Sequence, residues 1–134
     1  FNQANYLGKK FMNQDVLDLS IKSEVYYSRF FIHTLIENHC DILLKNISTL
    51  MDENSLFFME TRSTKNITNK DKSETYFKSS IGEEHFRMLY SLEYLFNKLS
   101  KHFSVSYIEE SDSFAPFNGE SPFIIRAVLN SKSL

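Results

Sequence analysis

The chain is poor in cysteine, glycine and proline and carries no basic excess, and each shortage removes a class of protein. Cys40 is the single cysteine in 134 residues, so no intramolecular disulfide can form and a zinc site built from thiolates is excluded. That usage fits a reducing compartment, and a cytoplasmic location is expected. Glycine occurs only at Gly8, Gly82 and Gly119, never as G-x-G, so no turn lets the backbone approach a nucleotide closely at the start of a helix. Both prolines fall within 112–122. No apolar run approaches the ~20 residues that span a bilayer, and the opening FNQANYLGKK lacks the apolar stretch of a secretion signal. With a net charge of −2, nothing points to a nucleic-acid partner. No H-x-x-x-H pair, His/Cys cluster or calcium loop occurs, so no metal is expected. The chain opens on Phe1; the expectation is a single domain over 1–134 that is a fragment of a larger one.

What is present is globular: 42% hydrophobic and 24% charged residues, with 13 Phe and 7 Tyr to fill a core. Residues 2–10 read as the tail of a helix, and FMNQDVLDL (11–19) as a short strand with a polar exit. VYYSRFFIH (25–33) is a β-branched and aromatic run suited to a strand buried on both faces. The continuation, 34–51, places Leu35, Ile36, His39, Leu43, Leu44, Ile47 and Leu50 at helical spacing. SLFFMETRS (55–63) is a second strong strand, and the polar stretch 64–80 reads as a mobile loop. Residues 83–103 read as helical, with a break near Tyr90 that lets Ser91 cap a second helix. FSVSYIEES (103–111) alternates like a strand, and FIIRAVLN (123–130) is a further apolar one. Strands and helices in this order predict an α/β layered sheet with helices on its faces. The last two strands have too short a connection for a crossover and are expected to pair antiparallel.

These segments together resemble the C-terminal half of a class I, Rossmann-like, S-adenosylmethionine-dependent methyltransferase domain. NQDVLDL (13–19) is similar to the family's third strand, VYYSRFFIHTL (25–35) to the fourth and SLFFMETRS to the fifth. GEEHFRMLYSLEYLFNKLSKHFSVSYIEES (82–111) resembles the final helix and sixth strand, and FIIRAVLN the antiparallel seventh. The resemblance implies a partial Rossmann-like sheet with an antiparallel final strand pair, S-adenosylmethionine as cofactor, and a small-molecule or glycan acceptor. The family's first strand, its glycine-rich turn and the acidic end of its second strand have no counterpart. Strands missing from mid-sheet would leave unpaired edges, so self-association through an exposed edge is expected.

Open α/β sheets bind ligands beyond the carboxyl ends of their parallel strands, which directs attention to Asp15, Tyr27, Ser28, Arg29, Glu60, Thr61 and Arg62. By resemblance, the Asp15 carboxylate and Val16 backbone N–H hold the adenine ring; a strand-end cap or turn residue is the alternative for Asp15. Ser28 and Arg29 lie near the methionine end of the cofactor, with Arg29 alternatively a structural partner of Glu60. His33, with an ordinary pKa near ~6.5, suits a general base; a packed or capping histidine is the alternative. Glu60 and Arg62, two apart on a strand, share a face and either bind a polar acceptor or pair with each other. His85 and Arg87 either extend an anionic acceptor site or begin a solvated helix. His39 and His102 read as helix-face residues. Three readings stay open: a methyltransferase acting on a small polar molecule or glycan, a non-catalytic methyltransferase-like interaction module, and another α/β fold. Resemblance and a Lys/Asn/Ile/Phe-rich composition suggest surface-polysaccharide modification in a low-GC bacterium.

Overall fold

The computed structural model describes the backbone of residues 4–6, 9–11, 14–66, 72–78 and 84–132, and the side chains of 14–66 and 86–132. At the start, β1 (Ala4–Tyr6) and β2 (Lys9–Phe11) form an antiparallel pair where the sequence pattern suggests a helix tail. The strand expected over 11–19 does not form beyond Phe11 among the described residues. Asp15 Oδ1 instead accepts the Leu17 N–H at 2.9 Å and caps a 3-10 turn over Val16–Asp18. A short carboxylate bonding the backbone two residues ahead competes directly with strand pairing.

The main sheet follows. β3 (Val25–Arg29) leads through a 3-10 turn, Ile32–Thr34, into α1 (Glu37–Leu50), and β4 (Leu56–Arg62) comes next. β5 (Lys72–Lys78) and β6 (Glu84–Tyr90) pair antiparallel beside it. β5 falls within the expected loop over 64–80, and β6 takes the place of the first part of the expected helix over 83–103. Then come α2 (Leu92–Ser100), β7 (Phe103–Ser111) and β8 (Ile124–Ser131). Ser91 caps α2 as the sequence predicts, its Oγ accepting the Tyr94 N–H at 3.1 Å.

The four-stranded sheet has the order β3-β4-β8-β7. β3 and β4 are parallel, and β8 is antiparallel to both β4 and β7. β7 therefore runs in the direction of β3 and β4, and three carboxyl ends share one edge of the molecule. The antiparallel final pair matches the expectation.

Register divides the side chains cleanly between two faces. Tyr26, Phe57, Met59, Ala127, Leu129 and Phe103 point to one face, where they pack with Cys40, Leu43, Leu44 and Ile47 of α1 and with Leu95 and Leu99 of α2. The spacing of 40, 43, 44 and 47 is the stripe of an amphipathic helix. Lys98, 6% exposed, pairs with Asp41 and ties α2 to α1. The opposite face is open among the described residues: Val25 is 54% and Tyr27 66% exposed. β3 is thus covered on one face, not on both as its apolar run suggests.

Candidate functional site

The open face carries a row of charge across three strands. Pairing sets Arg29 opposite Glu60, and Glu60 opposite Arg126. The Glu60 side chain is only 10% exposed, and both of its oxygens are engaged. Oε2 accepts from Arg29 Nε at 2.9 Å, while Oε1 accepts from Arg126 Nε at 2.7 Å and lies 2.6 Å from its Nη2. Charge-assisted bonds at these lengths hold both guanidiniums in fixed orientations. Each also lies near an aromatic ring, Arg29 at 4.8 Å from the Phe30 centroid and Arg126 at 4.1 Å from that of Phe114.

Immediately beyond this row a cavity of about 420 Å³ opens at the carboxyl ends of β3 and β4. Its walls include Arg29, Phe30, Arg62, Phe117, Glu120 and Ile124. Phe30 sits at the β3 tip with φ 54°, a left-handed conformation that costs a non-glycine residue about 1–2 kcal/mol. Its N–H reaches Glu60 O at 2.9 Å, which holds the strained turn. The far wall is a two-residue hairpin. Phe117 and Glu120 exchange backbone hydrogen bonds of 2.8 and 2.9 Å across Asn118 and Gly119, whose φ angles of 49° and 77° are those of a type I′ turn. The Arg62 guanidinium has no ion-pair or hydrogen-bond partner among the described residues.

A second, more apolar cavity of about 530 Å³ lies at the β3 edge, between the Val16–Asp18 turn and α1. Val16, Tyr26, Ser28, Leu43 and Phe57 are among its walls, and Arg29 borders both cavities. The Ser28 hydroxyl is buried there without a hydrogen-bond partner.

His33 lies behind the first cavity. It is 2% exposed, and its Nδ1 is 3.1 Å from Thr61 Oγ1 and accepts the Arg62 N–H at 3.4 Å. An Nδ1 that accepts from a backbone amide carries no proton, so the Thr61 hydroxyl donates to it and the ring proton sits on Nε2. Burial, reinforced by the charges of Arg87 and Arg62, lowers the His33 pKa from 6.5 to about 4. Thr61 points to the helix-covered face of β4 and Arg62 to the open face, so the imidazole and the cavity lie on opposite sides of the strand.

No protein-family model matches the sequence, and no curated protein sequence matches it. Solved structures do. A putative S-adenosylmethionine-dependent methyltransferase from Listeria monocytogenes superimposes with a TM-score of 0.70 at 12% identity, over 90% of this chain and 68% of that one. A glycopeptide N-methyltransferase in complex with S-adenosylmethionine gives 0.63 at 11% identity, over 89% and 63%. The 1,6-didemethyltoxoflavin N1-methyltransferase of Burkholderia thailandensis, with its acceptor and S-adenosylhomocysteine bound, gives 0.64 at 11%, over 88% and 48%. The chain has the class I methyltransferase fold. It spans roughly half to two thirds of the length of these three methyltransferase structures.

Within that fold, the expected site residues divide into groups. Arg29 and Arg62 border one cavity, as expected of adjacent strand tips. Glu60 lies beneath it and pairs with Arg29 and Arg126, not with Arg62. Asp15 does not share their crevice: it sits on a capped turn and lines neither cavity, while Val16 lines the second. Ser28 faces the helix side. Arg87 lies on β6, not at a helix start, and its Nη1 donates to Phe86 O at 2.7 Å. The backbone of His85 pairs with Phe77; its side chain lies outside the described residues. Sequence reasoning missed Phe30, Phe117, Glu120 and Arg126. Two signals were available: Asn-Gly between Phe117 and Glu120, and the three Phe residues, Phe114, Phe117 and Phe123, close to the prolines.

Proposed function

We propose that the protein transfers a methyl group from S-adenosylmethionine to a small polar molecule or glycan. The observation that carries this reading is the cavity at the carboxyl ends of two parallel strands, in a sheet of methyltransferase topology. The bound cofactor would supply a sulfonium methyl group already activated toward nucleophiles, which leaves the protein chiefly the tasks of binding and alignment. The residues present fit part of such a cofactor's surroundings. Asp15 is exposed beside the half-buried Val16, which suits recognition of an adenine ring. The unpartnered Ser28 hydroxyl and Arg29, at the junction of the two cavities, suit the amino-acid end.

The remaining roles follow from position. Glu60 fixes the Arg29 guanidinium at the cavity wall, and Arg62 is free to meet a polar acceptor. For His33, neutrality and a position behind β4 favour a positioning role over a general base: it holds Thr61 and the Arg62 backbone where the strand ends. Calorimetric titration of the protein carrying this chain with S-adenosylhomocysteine tests the reading. Binding in the micromolar range is expected, weakened about tenfold by Asp15→Ala. Absence of saturable binding would overturn it.

A further inference from the structure

We propose that the cavity at the β3 and β4 tips binds a flat aromatic carboxylate that also bears a hydroxyl or amino group. As the identity of the methyl acceptor this rests on the methyltransferase reading; as a statement about binding it stands by itself.

Four residues of the lining, Phe30, Phe117, Arg62 and Glu120, argue for this ligand. Phe117 is 74% exposed, yet its backbone is fixed by the type I′ turn through Asn118 and Gly119, and it shares the cavity lining with Phe30. An exposed aromatic side chain on a fixed backbone offers a contact surface whose backbone ordering cost is met before binding. Phe30 is itself held in a strained backbone conformation, and such strain persists where the surroundings enforce it, commonly at ligand sites. Two aromatic walls favour a planar ring between them.

Charge selects the ring's substituents. Of the two arginines on the cavity lining, Arg29 is ion-paired with Glu60, which it shares with Arg126. Arg62 has no such partner among the described residues and is exposed at the cavity wall. An unclaimed guanidinium presents a planar fork that matches a carboxylate with two parallel hydrogen bonds. Glu120 stands on the same lining, and its carboxylate accepts hydrogen bonds but donates none. It repels a second acid group and favours a hydroxyl or amine. The volume of about 420 Å³ is near the small end for ligand cavities and suits a single substituted ring better than an extended saccharide.

The test uses para-hydroxybenzoate as probe, titrated into the protein and followed by ligand-observed proton NMR. Saturable binding is expected, weakened ~10-fold or more by Arg62→Ala and several-fold by Phe117→Ala. Phenol, which lacks the carboxylate, is expected to bind at least ~10-fold more weakly than the probe. Both substituted residues are exposed, and unchanged circular dichroism would confirm that the variants fold. Equal binding by Arg62→Ala, or tighter binding of glucose than of the probe, would overturn the proposal. S-adenosylhomocysteine titration in parallel separates the two ideas: probe binding without nucleoside binding sinks the methyltransferase reading alone. Nucleoside binding with no probe binding sinks this one alone.

Discussion

Glu60 shows how one side chain organises the crevice. Its carboxylate is buried between two guanidiniums that are themselves about half exposed. Replacing it by Gln leaves one oxygen to serve two cations and removes the one negative charge they share. Because water still screens both arginines, the expected loss is smaller than for a fully buried pair, about 2 kcal/mol, read as a shift of the urea midpoint. His33 makes a different prediction. Its pKa is 6.5 when unfolded and about 4 when folded, so the unfolded chain binds the proton more readily. The stability it contributes is whole above pH 6.5 and is lost as pH falls toward 4. Stability is therefore expected to drop by on the order of 2 kcal/mol between about pH 7 and about pH 4.5. Urea unfolding at both values checks it, and His33→Gln should flatten the slope. An equal slope in the variant would assign the effect elsewhere.

At the level of elements, two short devices position the site. Ser91 supplies the side-chain cap of α2, so Ser91→Ala is expected to cost about 1 kcal/mol, measured by thermal unfolding. Gly119 has φ +77° with nothing within 4 Å of an added Cβ. Gly119→Ala should therefore cost only the backbone penalty, about 1 kcal/mol, and loosen the hairpin that presents Phe117. Line broadening of the Phe117 amide in NMR would report that loosening. The element misread from sequence is equally instructive. Residues 84–90 are rich in helix formers, yet the strand pairs with β5 along its length and Met88, Leu89 and Tyr90 are all buried. Pairing and burial outweigh a per-residue helix preference of under about 1 kcal/mol.

For the whole molecule, the decisive feature is the free side of β3. Leu56 N–H bonds Glu24 O, and Phe30 N–H bonds Glu60 O, so alternate residues of β3 face β4. The backbone groups of Tyr27 and Arg29 face the outer edge, where no partner strand lies among the described residues. The start of that edge is blunted, because Ser23 Oγ accepts the Val25 N–H and donates to Val25 O. An edge of this kind beside an exposed Val25 and Tyr27 invites strand addition. The isolated chain is expected to self-associate, and Tyr27→Lys to raise the monomer fraction in sedimentation velocity. An unchanged distribution would remove the edge as the cause.

Local pattern alone determined several features: the strand over 103–111, the helix whose apolar stripe includes Leu43, Leu44 and Ile47, the Ser91 cap and the antiparallel final pair. Each depends on neighbours in the chain or on periodicity, which a sequence displays directly. It also placed Arg29 and Arg62 at adjacent tips. Tertiary structure decided the rest. Whether Asp15 ends a strand or caps a turn depends on whether its carboxylate reaches the Leu17 amide before a partner strand does. Whether His33 faces the cavity or the core depends on which side of β4 the Ile32–Thr34 turn packs. Pairing of Glu60 with Arg126, 66 positions away, and of Phe30 with a hairpin near residue 118, requires the register of three strands, and no local spacing encodes that.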